Sequence, residues 1–193
     1  PLMFSPTKIY EFIPTNDGIL SNEHEITISV KNNDSSLIEF ASADKYGKYI
    51  AITTKHRIFI YNRISQQMKL LFDKITLIRD IEWFTKKLCV ISFEAAEASF
   101  YLFVFKTKKE TSDFKLKHKI KLPERPFRIR SNNDDLLIIS LYQDILIYDK
   151  KMNETKIKVP FHLDEIYPHT NFIFALATQK IGQKILISIT YDG

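Results

Sequence analysis

The chain has 193 residues and a mass of 22.7 kDa, and its 45% hydrophobic and 26% charged content excludes wholesale disorder. Its 28 Lys and Arg against 23 Asp and Glu leave a mildly basic net charge of +5. No apolar run approaches the ~20 residues that span a bilayer, and no charged segment leads into an apolar one as in a secretory signal. The single Cys89 excludes an intrachain disulfide and a cysteine-based zinc site.

A reducing cytosol is the expected compartment. The start at Pro1 without an initiator Met reads as part of a longer protein. Residues 1–36 combine Pro6, Pro14, an Asn16-Asp17-Gly18 turn, an alternating strand from Glu25 to Val30 and a polar link at 31–36. They read as the end of a preceding blade plus a polar excursion.

From Leu37 onward, short apolar runs rich in Ile, Phe, Tyr and Val recur at spacing two, separated by Asp, Asn, Ser and Lys. This is an all-β pattern. The segment from Lys48 to Arg63 aligns without a gap on that from Asp135 to Lys150, each residue meeting its counterpart 87 positions on. Ile52 meets Ile139, Ile58 meets Ile145, Ile60 meets Ile147 and Tyr61 meets Tyr148. Each copy is strand, polar turn, strand.

The offset is twice the ~40–45 residues of a propeller blade. A copy is therefore due halfway, and Leu88–Phe93 with Ser99–Phe105 supplies it; Phe172–Thr178 with Lys184–Thr190 supplies another. With a strand before each hairpin and a more polar one after it, the chain reads as a WD40-like β-propeller segment of about four four-stranded blades. Their bounds are 37–72, 77–122, 127–159 and 164–193, the last with its outer strand beyond Gly193. Trp-Asp and Gly-His pairs of WD repeats are absent, and only four Gly occur, so many turns must use Asn, Asp or Lys. Glu94–Ala98 favours helix locally but is too short for one and reads as a strand connection. A β-sandwich or distorted barrel is the competing fold.

Between Lys106 and Lys121, seven Lys against Glu110 and Asp113 carry a net +5, the whole surplus of the chain. Lys115, Lys117, Lys119 and Lys121 alternate with Leu116, His118 and Ile120, which predicts a strand with its lysines in one solvent-facing row. Such a row either keeps an edge strand from pairing or contacts an acidic protein or an anionic membrane surface. The Lys face lacks the aromatic side chains on which bases stack, so no nucleic-acid partner is expected.

Catalytic and metal signatures are not found. The five His have no helical ligand spacing, there is no Gly-rich phosphate loop, and no cofactor is expected. His162 and Asp164 could pair a base with a carboxylate but lack a nucleophile, and His162 reads as an exposed loop residue. Asp80 reads as a turn or strand-edge acid, Trp83 as packing between blades, and Cys89 as an inert core thiol.

The run Ala43–Ala51, then Phe59–Tyr61, Met68–Phe72, Ile81–Phe84, Leu88–Ile91, Tyr101–Val104 and Leu136–Tyr148 come in a particular order and spacing. Together they resemble the second propeller region of the Ric-one family, the large subunits of Ric–Rgp complexes. The resemblance implies a non-catalytic subunit that joins a small arrestin-like Rgp partner and exchanges guanine nucleotide on a Golgi Rab GTPase of the Rab-six type. It also implies a peripheral location on the cytosolic face of the Golgi, in retrograde endosome-to-Golgi vesicle traffic. The alternative is a generic propeller scaffold or basic membrane-tethering module.

Overall fold

The computed structural model describes residues 7–11, 24–28, 39–73, 77–107, 113–132, 135–178 and 182–191. The chain divides into two units, Pro1–Ile38 and Glu39–Gly193. In the first, β1 (Thr7–Glu11) pairs antiparallel with β2 (His24–Ile28). The predicted turn at 16–18, the polar link at 31–36 and Lys108, Lys109 and Glu110 lie outside the described residues.

The second unit is all-β and propeller-like: four antiparallel sheets, each built from strands consecutive in the chain. Sheet one holds β3 (Phe40–Ala43), β4 (Tyr49–Thr53), β5 (Ile58–Asn62) and β6 (Gln67–Phe72). Sheet two holds β7 (Leu77–Phe84), β8 (Lys87–Glu94), β9 (Ser99–Thr107) and β10 (Phe114–Lys121). Sheet three holds β11 (Arg128–Asn132), β12 (Leu136–Ser140), β13 (Asp144–Tyr148) and β14 (Glu154–Lys158). Sheet four has three strands among the described residues, β15 (His162–Pro168), β16 (Phe172–Thr178) and β17 (Lys184–Thr190).

The internal repeat survives at the level of hydrogen-bond register. Ile50 stands opposite Tyr61, Ile52 opposite Phe59 and Thr53 opposite Ile58; 87 residues on, Leu137 stands opposite Tyr148, Ile139 opposite Leu146 and Ser140 opposite Ile145. The turn repeats as well, the Thr54 amide donating to the Arg57 carbonyl as the Leu141 amide does to that of Asp144. A hydroxyl near the end of each second strand adds a feature the apolar pattern conceals. Thr53 donates to the Phe40 carbonyl, Ser92 to that of Leu77, and Ser140 accepts from the Arg128 amide, all three buried. Thr178 occupies the same place in sheet four, donating to Asp164. Each hydroxyl ties its strand to the first strand of its own sheet and is itself satisfied there.

Strand side chains alternate between faces, so each middle sheet presents two apolar layers. Leu88, Val90 and Phe103 of sheet two pack with Tyr49, Ala51, Ile58 and Ile60 of sheet one. On the other face, Cys89, Ile91 and Leu102 meet Leu137, Ile139 and Leu146 of sheet three. A third layer joins Ile138, Ile145 and Ile147 to Leu163, Ile173 and Ala175 of sheet four. Backbones of neighbouring sheets come nearest at their first strands, β3 with β7, β7 with β11 and β11 with β15. The sheets thus converge along their first strands and splay toward their last.

Turns depart from expectation in their chemistry. Gln66, Thr85, Ala98 and Met152 take the left-handed conformation with φ of 53°, 57°, 47° and 71°, where Asn, Asp or Lys was expected. A non-Gly residue there is held against its own preference by the flanking strand pairing. Ala98 closes a 3-10 turn, Ala95–Glu97, that connects β8 to β9.

Candidate interaction surface

Strand β10 carries the predicted lysines, and all four are exposed. They do not form one row. Leu116 stands opposite Phe105 and His118 opposite Val104, so Lys117 is an extra, unpaired residue, a β-bulge. Residues opposite one another share a face, and the bulge exchanges the faces beyond it. Phe114 and Leu116 precede it on the same side as Lys119 and Lys121, which stand opposite Phe103 and Tyr101. Lys115 lies on the other side, opposite Lys106. A strict period of two cannot register an inserted residue, which is why the sequence reads a single row.

Lys119 is moreover engaged within the sheet. Its Nζ lies 2.8 Å from Glu94 Oε2 and 3.5 Å from Glu97 Oε1, and 4.2 Å from the centre of the Tyr101 ring. The hydrogen bond to Glu94 raises its pKa and holds it charged. Glu97 is also bound by the Tyr101 hydroxyl, which pulls the carboxyl below its ordinary pKa.

Lys115 belongs to a different array. Lys87 stands opposite Lys106 across β8 and β9, and Lys106 opposite Lys115 across β9 and β10, so three like charges lie abreast on one face. Lys87 donates to the Lys150 carbonyl at 2.7 Å, and its pKa is lowered by burial and, further, by Lys106. Among the described residues, no acid pairs with Lys106, Lys115 or Lys117.

Lys115 also lies on the rim of a cavity of about 490 Å³ between β6 and β10, where sheets one and two splay. Tyr49 and Ile60, both buried, and the half-buried Leu71 and Phe114 line its depth. The Tyr49 and Phe114 rings meet edge to face with centroids 5.4 Å apart, and Trp83 packs behind them 5.7 Å from Phe114. Leu70 is 51% exposed on the lip, and a Lys69–Asp113 ion pair of 3.3 Å joins the two sheets there.

The converging first strands hold a second polar array. Asp80 is buried, not a turn acid: its Oδ1 accepts the Ile81 amide at 2.9 Å, and its Oδ2 accepts the Ile129 amide at 3.1 Å and Arg130 at 2.9 Å. Two residues on, Glu82 Oε1 accepts the Ser131 hydroxyl at 2.7 Å and its amide at 3.3 Å. Arg128 reaches Glu165 of sheet four at 2.5 Å and lowers the pKa of that carboxyl. Trp83 Nε1 donates to the Ser42 carbonyl of sheet one at 2.8 Å. These bonds join partners up to 50 residues apart, so no local spacing announces them.

Burial raises the pKa of Glu82 despite its bonds to Ser131. The unfolded chain therefore releases this proton first, and stability falls as pH rises from the ordinary carboxylate pKa through the raised folded one. Glu82→Gln keeps an acceptor for Ser131 without the half-buried charge. At pH 7 it is expected to raise the thermal midpoint by about 2–4 °C, the equivalent of ~1 kcal/mol for a domain of this size. The two proteins should converge below the ordinary carboxylate pKa, and a gap that persists in acid would count against the argument.

His162 opens β15 rather than lying in an exposed loop. Its ring packs edge-on against Phe127 with centroids 4.4 Å apart, and Nε2 lies 3.5 Å from Asp164 Oδ1. The Thr178 hydroxyl donates to Asp164 at 2.6 Å, so the nearby hydroxyl is held by the carboxylate rather than by the imidazole. Cys89 is fully buried, and burial raises its thiol pKa far above the ordinary value. Among the described residues, no group of three His, Cys, Asp or Glu could hold a metal ion, and no helix is long and apolar enough to cross a membrane.

No protein-family model matches the chain, and no curated protein matches it. Among solved structures, a luciferin-regenerating enzyme matches at 12% identity and TM-score 0.60, covering 97% of this chain and 72% of its own. The dihydro-heme d1 dehydrogenase NirN matches at 11% and 0.62, covering 86% of this chain and 39% of its own. A Kuenenia stuttgartiensis hydrazine synthase matches at 11% and 0.62, with 85% and 50%. The chain thus spans half or less of the length of two of these three. At such identities the likeness shows the fold alone.

Proposed function

We propose that the chain is a protein-interaction segment of the large subunit of a guanine-nucleotide exchange complex, acting on a Golgi Rab GTPase together with a small arrestin-like subunit. The observation that carries this reading is the ordered series of motifs from Ala43 to Tyr148, which run through three stacked sheets. Exchange requires a surface that binds the nucleotide-free GTPase more tightly than the loaded one; affinity for nucleotide then falls by linkage. Such work needs shape and charge rather than a nucleophile. The location that follows is peripheral, on the cytosolic face of the Golgi.

A pull-down tests it. The chain, immobilised, is expected to retain the arrestin-like subunit or the nucleotide-free GTPase above the level of the GTP-loaded form. Equal retention of both nucleotide states, with no retention of the small subunit, would refute the assignment.

A further inference from the structure

We propose that the wedge between β10 and β14, where sheets two and three splay, docks an extended acidic segment of a partner protein through Lys106, Lys115 and Lys158. Register places these lysines on facing walls. On sheet two, Lys87, Lys106 and Lys115 stand abreast and share their side with Cys89 and Val104, the side that packs on sheet three. On sheet three, Glu154, Lys156 and Lys158 stand opposite Tyr148, Leu146 and Asp144, and Leu146 and Tyr148 pack on sheet two. The inner end of the lysine row closes against sheet three, where Lys87 donates to the Lys150 carbonyl at 2.7 Å, while Lys106 and Lys115 stay exposed.

Charge selects the occupant. The wedge carries Lys87, Lys106, Lys115, Lys156 and Lys158 against Asp144, Glu154 and Glu124. Two of these acids are held within sheet three, Asp144 by Lys156 at 2.5 Å and Glu154 by the Tyr148 hydroxyl at 2.6 Å. Glu124 lines a cavity of about 620 Å³ with Lys156 and Lys158, at the other end of the wedge from the lysine row. Among the described residues, no acid pairs with Lys106, Lys115 or Lys158. Like charges directly opposite in a sheet cost stability, and burial, then Lys106, lowers the pKa of Lys87. The row thus holds a repulsion that a partner's carboxylates relieve.

Shape selects an extended chain over a membrane. The row runs inward across three strands and ends against sheet three, out of reach of a plane. From Glu154 to Lys158 the five residues of β14 rise about 13 Å, and an extended segment with an acid at every second residue repeats its carboxylates about every 7 Å along that length. Ile120 and Met152, both half-buried on the layer beneath, offer apolar contact between the charges.

The probe is a short fluorescein-labelled peptide of alternating Glu and Ser, titrated with the 193-residue chain at about 0.15 M salt and read by anisotropy. A peptide of alternating Lys and Ser and phosphatidylserine vesicles are the controls. Saturable, salt-sensitive binding of the Glu peptide alone is expected. Lys106→Glu should weaken it at least about fivefold. That variant sets a carboxylate between Lys87 and Lys115, so it should melt no lower than wild type, and its lost binding reports the site rather than the fold. Lys158→Gln should bring a smaller loss. Lys121→Glu, on the sheet-one side opposite Tyr101, should leave binding within about twofold of wild type. Amide shifts of the wild-type chain on peptide addition should fall in β10 and β14 and spare β6.

Undiminished binding by Lys106→Glu, an equal loss in Lys121→Glu, equal binding of the Lys peptide, or no saturable binding at millimolar Glu peptide would overturn the proposal. So would binding confined to the vesicles, which would assign the lysines to a membrane. The proposal rests on reading the chain as an interaction segment, and the two fail separately. A chain that retains neither the arrestin-like subunit nor the GTPase yet binds the Glu peptide loses the exchange role and keeps the wedge; the reverse removes the wedge.

Discussion

Asp80→Ala is expected to cost about 3 kcal/mol of unfolding free energy, seen as a lower urea midpoint at unchanged slope. The carboxylate is 5% exposed and serves three donors at once: its own neighbour's amide, the Ile129 amide and the Arg130 guanidinium. Alanine leaves a buried amide in sheet three without a partner, at about 1–3 kcal/mol, and removes the countercharge of Arg130. The guanidinium is partly exposed and can turn to water, so the loss falls at the lower end of that for breaking a fully buried pair. Arg130→Met should cost only about 1 kcal/mol, since Asp80 keeps both amides. A double-mutant cycle should give a coupling of about 1–2 kcal/mol between the two. A loss below about 0.5 kcal/mol for Asp80→Ala would show that apolar layers alone set the spacing of sheets two and three.

That contrast between apolar layers and polar bonds also separates what the sequence displays from what it conceals. The hairpins at 48–63 and 135–150 are legible because both strand period and turn chemistry are local, and the structure gives them the same register. Asp80 is not, because its partners lie 49 and 50 residues away on another sheet and an isolated acid beside Ile81 looks like a strand end. The lysine strand is a mixed case. Its period places β10 correctly, but the bulge at Lys117 moves Lys119 to the side of Tyr101 and leaves Lys115 in line with Lys106 and Lys87. No periodic pattern carries a bulge, and the like-charge row appears only once three strands are set side by side. His162 was concealed by strand bounds: β15 begins two residues before the apolar pattern suggests, which turns a loop histidine into a half-buried one packed on Phe127.

Replacing Trp83 tests whether the cavity between β6 and β10 depends on the layer beneath it. Trp83 is 6% exposed, stacks on Tyr49 at 6.4 Å, meets Phe114 at 5.7 Å, and donates to the Ser42 carbonyl of sheet one. Trp83→Ala removes an indole from the layer between sheets one and two and is expected to destabilise the chain by about 3–5 kcal/mol. Trp83→Phe keeps most of the apolar contact but leaves the Ser42 carbonyl without its donor, for about 1–2 kcal/mol. Trp83 is the sole tryptophan, so the native emission of the wild-type chain is its own and should shift to the red on unfolding. Tyr49 and Phe114 form the floor of the cavity, so the Phe variant should still fold, with its amide shifts reaching β4 and β10 as Phe114 loses its backing. A Trp83→Ala protein as stable as wild type would mean that this aromatic trio does not hold sheets one and two together. The shape of the cavity above it would then have to come from the strand edges alone.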